Sequence, residues 1–193
     1  MTGSTKGLLV ITGPPGSGKT PIVRELVASG FTGVAEPARE VIAEQRAIGG
    51  DGVYNKNPRL FLYLMLSRAV TDFRRMSAAS GPVFFDRGIP DLIAYAELFG
   101  LDASAAANAA AVHRYHDLVF VLPSWPEIYV TDSERKMTYE AAEAFGERVR
   151  SIYVELGYSL VDVPRDTVVA RARFILDTLG FNEHGSVAGP PGP

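Results

Sequence analysis

The residues most able to do chemistry are Gly13, Pro14, Pro15, Gly16, Ser17, Gly18, Lys19 and Thr20. They fit G-x-x-x-x-G-K-[ST] at every fixed position, with an apolar run before them and a helical pattern after. Glycines let successive backbone N–H groups turn inward around phosphate oxygens. The N-terminus of the following helix adds a favourable partial charge for an anion. Lys19 is then placed to reach the β- and γ-phosphates, and the Thr20 hydroxyl to ligate Mg²⁺. Pro21 lacks an N–H that this early helical position would leave unpaired anyway. The stretch predicts a nucleoside triphosphate site, with ATP the default and GTP open.

Three further groups of side chains can act beside such a site. Asp86 ends the apolar run Val83-Phe-Phe-Asp86, at the strand edge where open α/β sheets bind ligands, and can hold Mg²⁺ there. Arg87 follows, permanently charged and able to clamp a phosphate or an acceptor. The alternative for Asp86 is a strand-end salt bridge or a helix cap. Motor-type ATPases place a second acid next, to polarise water; Arg87 stands in that position, which favours transfer to an acceptor over hydrolysis. Glu36 ends a second, weaker strand pattern before Pro37 and can take the proton of an acceptor hydroxyl. Arg39 is placed to orient acceptor or phosphate. Glu36 reads equally as an acid favoured at a helix start, and Glu40 lies one turn on. Arg135 and Lys136 lie on a charged segment that either closes as a lid over the triphosphate or forms an ordinary solvated helix face. Arg59, Tyr63 and Arg68 are candidates for the lining of an acceptor pocket. His113 and His116 lack a third metal ligand and read as structural. Asn55-Lys56-Asn57 lacks the Asp of a guanine-reading N-K-x-D motif.

The elements that must position these groups alternate. Strands are predicted over 6–12, 31–36, 83–86, 117–122 and 158–163. Helices are predicted over 18–29, 38–48, 58–79, 90–99, 102–115 and 133–156, the last broken near Thr138, and from a Thr167 cap to Leu179. Gly30 and Gly180 stand where helices end. The glycines at 49, 50 and 52 predict a mobile loop over 46–57. Five strands separated by helices imply one parallel sheet covered on both faces. One domain is expected over 1–181, with a disordered Gly/Pro-rich tail over 182–193.

Composition bounds the rest. The chain has 193 residues, a net charge of −3 and 47% hydrophobic residues, enough for a substantial core. It has no cysteine, which excludes disulfides, a thiol nucleophile and Cys-type zinc sites. The mild acidity argues against a broad nucleic-acid face. No run is long enough for a membrane span, and Leu8–Ile11 is too short for a secretory signal. A cytoplasmic protein is expected, whose partners are a nucleoside triphosphate and a small acceptor, with a homodimer open.

The runs Glu36-Pro-Ala-Arg-Glu-Val-Ile42, Phe84-Phe-Asp-Arg-Gly-Ile-Pro-Asp91 and Leu122-Pro-Ser-Trp-Pro-Glu-Ile-Tyr-Val-Thr-Asp132 resemble bacterial AAA-domain ATPase/kinase-like proteins, relatives of the kinase module of nicotinamide riboside kinases. The layout is also similar to small P-loop kinases, notably nucleoside and thymidylate kinases, over about residues 6–180. The resemblance implies a three-layer P-loop NTPase fold of the nucleoside/nucleotide-kinase type. It implies that Glu36 is the acceptor-side base, that Asp86 and Arg87 contact magnesium and acceptor, and that Arg135 belongs to a basic lid. Gly88 departs from the Ser or Tyr those kinases often carry, which leaves the acceptor open. Two functions follow as expectations. One is a kinase that transfers the γ-phosphoryl group to a hydroxyl or phosphate of a small nucleoside-like or vitamin-like acceptor. The other is an ATPase or nucleotide switch acting through a protein or lipid partner.

Overall fold

A computed structural model describes residues 7–129 and 137–181. Among these, the elements alternate as the sequence patterns predict. They are β1 (Leu8–Thr12), α1 (Lys19–Ala28), β2 (Thr32–Val34), α2 (Pro37–Ala47), α3 (Pro58–Met76), β3 (Val83–Asp86), α4 (Asp91–Leu98), α5 (Ser104–Val112), β4 (Leu118–Val121), α6 (Tyr139–Glu155), β5 (Ser159–Asp162) and α7 (Val168–Thr178). All strands are parallel, in the order β2-β3-β1-β4-β5. β1 is therefore central, and its C-terminal end delivers the glycine-rich loop to the middle of the sheet edge.

Strand alternation sorts the core into two layers. Leu9 and Ile11 of β1, with Phe84 and Phe120, face α1 and α7. Leu8 and Val10, with Phe85, Val119 and Val121, face the layer built from the α2–α6 region. The product is a helix–sheet–helix sandwich, as expected. No helix among the described residues is long and apolar enough to cross a membrane.

Element ends differ from the sequence expectations for identifiable reasons. β2 is shorter because the Phe31 N–H is used to end α1, donating to the Leu26 carbonyl (3.1 Å), while Glu36 becomes the N-cap residue of α2. The 102–115 helix shrinks to α5. The Asp102 carboxylate takes the Ser104 N–H (3.0 Å) before the helix begins. Beyond its end, His116 N–H pairs with the Leu8 carbonyl (2.8 Å), and Tyr115 turns into the core against Phe73 and Phe85. α3 begins at an Asn57 cap that accepts the Leu60 N–H (3.1 Å), and it stops at Met76, ahead of the expected 79. The 46–57 loop, expected to be mobile, is anchored by buried Val53, by turn bonds to the Val53 carbonyl and by Gly52 N–H donating to Gln45 (3.0 Å). The expectation for the 182–193 tail lies outside the described residues.

Gly88 is explained by packing. A Cβ there would lie 2.6 Å from the Tyr153 hydroxyl and 3.0 Å from a Val10 methyl, so the position reports on the core, not on the acceptor. Gly88→Ala should cost about 1–3 kcal/mol. Thermal unfolding should show a Tm lower by about 2–12 °C. The double variant with Tyr153→Phe should be less destabilised than the sum of the two single changes, because the substitutions share one contact.

Candidate functional site

The glycine-rich loop runs from the end of β1 into α1. Gly13 has φ 135°, and a Cβ on it would sit 2.5 Å from the Leu122 carbonyl oxygen. Only glycine satisfies both constraints. Gly16 and Gly18 also hold positive φ, so the three glycines together curl the loop. α6 braces it from behind: Gly146 stands so close to Pro14 that a Cβ would be 2.5 Å from the proline ring.

Lys19 is buried, and its ammonium points into the loop. It donates to the carbonyls of Gly13 (3.1 Å) and Pro14 (2.6 Å), and to the Ser17 hydroxyl (3.4 Å). Burial, and then the nearby charge of Arg87, push its pKa down to about 7 against the pull of Asp86, Glu36 and Asp91. Thr20 opens α1 and donates its hydroxyl proton to Asp86 Oδ2 (2.6 Å). The other carboxylate oxygen, Oδ1, is buried without a hydrogen-bond partner. Burial and the Glu36 charge hold this carboxyl above its ordinary range, opposed by Lys19, the Thr20 hydroxyl and Arg87. An orphaned carboxylate oxygen beside a hydroxyl suits a hard divalent cation such as Mg²⁺.

Arg87, expected to clamp a phosphate or an acceptor, lines the cavity over the phosphate loop and is also tied into the fold. Its Nε donates to Glu36 Oε1 (2.9 Å), and its Nη1 donates to the Gly13 carbonyl (3.1 Å) and to Asp91 Oδ1 (2.8 Å). Its side chain is 4% exposed. Its backbone is left-handed, with φ 74°, uncommon for a residue with a side chain. Glu36 also accepts from Arg39 Nε (3.3 Å). Burial raises the Glu36 pKa, but the charges of Arg87 and Lys19 outweigh it and leave the carboxyl below its ordinary range.

Two residues were not singled out from the sequence. Asp91, fully buried, accepts from Thr12 Oγ1 (2.6 Å), Gly88 N–H (3.0 Å) and the Tyr153 hydroxyl (2.7 Å), besides Arg87. Its spacing of four from Arg87 was the available signal. Arg171 of α7 is also buried and donates to the Ser17 carbonyl (2.9 Å), with its guanidinium 5.4 Å from the Trp125 ring centre. Burial draws its pKa below the ordinary arginine range. It lies 154 residues from its partner, and no local pattern announces it.

Two cavities meet here. One, of about 510 Å³, runs over Gly16, Lys19 and Thr20 towards Trp125, Ile128 and Arg171. The other, of about 410 Å³, lies between α2, α3, α4 and the start of α6. Pro15, Glu36 and Arg39 line both. The second cavity takes Phe61 from α3, not Arg59 or Tyr63. At 100° per residue, positions 59 and 63 share a face turned away from 61; Arg59 is exposed and Tyr63 is 52% exposed. Arg68 is ion-paired with Glu44. His113 Nδ1 meets the Ala109 carbonyl, and His116 accepts the Leu118 N–H. The expectations for Arg135 and Lys136 lie outside the described residues.

A family model described as an AAA domain matches residues 8–171. No curated protein matches the chain by sequence. Among solved structures, NadR protein in complex with NR superposes with a TM-score of 0.66 at 22% identity, over 91% of this chain and 51% of that one. The chain thus spans about half the length of NadR. Deoxyadenosine kinase from M. mycoides with bound dATP gives 0.65 at 16% identity, over 89% and 98%. Shikimate kinase from Acinetobacter baumannii in complex with shikimate gives 0.58 at 14%, over 90% and 92%. The shared fold is the three-layer P-loop NTPase fold of small kinases.

Two measurements test this geometry. Asp91→Ala leaves the Arg87 charge partly uncompensated in the core and should cost about 3–5 kcal/mol in urea unfolding. Lys19 should take up a proton on meeting a triphosphate, because a polyanion raises a pKa that stands at about 7 in the free protein. Nucleotide affinity should therefore fall as pH rises above about 7, by up to tenfold per pH unit. Titration calorimetry in buffers of different ionisation enthalpy should show uptake approaching one proton at about pH 8. Lys19→Arg, charged throughout, should show no uptake.

Proposed function

The chain belongs to the AAA-domain family, and from that premise we propose that it is a small-molecule kinase. It would transfer the γ-phosphoryl group of ATP to a hydroxyl of a small acceptor. The observation that carries the reading is the junction of two cavities at Glu36: one lined by the phosphate loop, the other with no part in holding phosphate. A hydrolase or a switch needs only the first.

In this reading the triphosphate lies along the loop N–H groups. Lys19 exchanges the Gly13 and Pro14 carbonyls for β- and γ-phosphate oxygens. The base extends towards Trp125, whose ring is already backed by Arg171. Thr20 and Asp86 would hold Mg²⁺, which when bound neutralises charge on the phosphates. Glu36 orients the acceptor hydroxyl. As its oxygen bonds to the γ-phosphorus, the bond from that phosphorus to the bridging oxygen of ADP breaks, and the hydroxyl proton passes to Glu36. A carboxylate held below its ordinary range accepts that proton late, which suits the loose transition state of phosphoryl transfer. Arg87 acts as a positioning residue, fixing Glu36 and the Gly13 carbonyl at once.

The test is acceptor-dependent ADP release. Glu36→Gln keeps the shape and leaves Arg87 paired with Asp91, so the fold should survive. Acceptor-dependent turnover should fall about 10²–10⁴-fold, with ATP affinity unchanged. ADP release that needs no acceptor and is indifferent to Glu36→Gln would instead mark an ATPase or nucleotide switch.

A further inference from the structure

The second cavity carries information about what the acceptor is. Its wall is formed mainly by Ile42, Tyr54, Phe61, Tyr95, Leu98 and Phe99. The rings are packed against one another: Tyr54 and Phe61 at 6.3 Å, Phe61 and Phe99 at 6.1 Å, and Tyr95 and Phe99 at 5.9 Å between centres. Their shape is therefore set before a ligand arrives. Among the described residues, the only charged side chains on the wall are Glu36 and Arg39, and they pair with each other at the mouth shared with the nucleotide cavity. Among the described residues, no Asn, Gln, Ser, Thr or His lines it. Beyond the charged pair, the polar side-chain groups are the phenols of Tyr54 and Tyr95, and burial pushes the Tyr95 pKa up, so that it stays neutral.

This wall discriminates between acceptor chemistries. A nucleobase presents donors and acceptors in one plane, and proteins read it best with planar amide or guanidinium partners. Here those edges would be stripped of water and left largely unpaired, at about 1–3 kcal/mol for each group. A monophosphate or carboxylate acceptor needs a cation of its own. Among the described residues the one cation on this wall is Arg39, which sits at the mouth and pairs with Glu36, so the depth of the cavity offers an anion none. An apolar body gains from the same surroundings on burial. Its one hydroxyl would be the group turned to Glu36, the acceptor-side carboxylate of the cavity.

We infer that the acceptor is an uncharged alcohol with an aromatic or branched apolar body, and not a nucleoside, a nucleotide or a sugar acid. The inference rests on the kinase reading for the word acceptor, and on the cavity alone for the chemical class.

The experiment has two arms on the full chain. In the first, saturation-transfer NMR is recorded with 2-phenylethanol, adenosine, dCMP and shikimate. Wild type is compared with Ala141→Trp, which grows from an exposed position on the cavity rim and should fill the cavity without entering the core. The 2-phenylethanol signal should be strong and lost in Ala141→Trp, while ATP binding persists. In the second arm, ADP release is followed with ATP-Mg²⁺ and each compound, and kcat/KM should favour 2-phenylethanol by at least about 100-fold, as expected where competing substrates leave buried polar groups unpaired. Better turnover of adenosine, dCMP or shikimate overturns this inference and leaves the kinase reading standing. Cavity binding of 2-phenylethanol without turnover of any compound supports the apolar class and counts against the kinase reading. Binding of none of the four at the cavity overturns the inference.

Discussion

The site depends on one buried ion pair, Arg87 with Asp91. Removing two charges from water is expensive, and the pair is tolerable because Asp91 accepts four hydrogen bonds and Arg87 donates three. Those partners are the structure's joints. Asp91 gathers Thr12 from the end of β1, Gly88 from the turn after β3 and Tyr153 from α6. Arg87 gathers Gly13 of the phosphate loop and Glu36 at the end of β2. Sheet edge, loop and far helix layer are thus referenced to one point. The left-handed backbone of Arg87, worth about 1–3 kcal/mol of strain, is the cost of aiming one side chain at all of them.

Electrostatics then grades the neighbours. Glu36 faces two guanidinium groups and keeps its charge easily; Asp86, buried and facing Glu36, keeps its charge reluctantly. Two carboxylates on adjacent strand ends are pushed in opposite directions. That separation is what the proposed roles of an acceptor-side base and a cation ligand would each require.

Sequence alone revealed what is local. The phosphate loop was legible because its eight consecutive residues carry their own geometry, and the central strands β1 and β3 because their apolar runs are buried on both sides. The cap at Thr167 was legible for the same reason, accepting an N–H three residues on. What failed was anything set by the other face or the other end of the chain. Arg59 and Tyr63 carry the chemistry of a lining residue but lie on the face of α3 turned away from the cavity, which takes Phe61 instead. Arg87 has a structural task that no local pattern shows, because its partners come from positions 13, 36 and 91. Arg171 meets the loop only through the packing of α7 on α1.

The narrow junction between the cavities has a consequence for how such a protein can change over time. Pro15, Glu36 and Arg39 are what the two chambers hold in common. Substitutions at Tyr54, Leu98 or Phe99 can reshape the second chamber, which none of Lys19, Thr20 or Asp86 lines. The phosphate machinery can stay fixed while the chemistry it serves drifts, so descendants of one ancestor can diverge in substrate long before they diverge in fold.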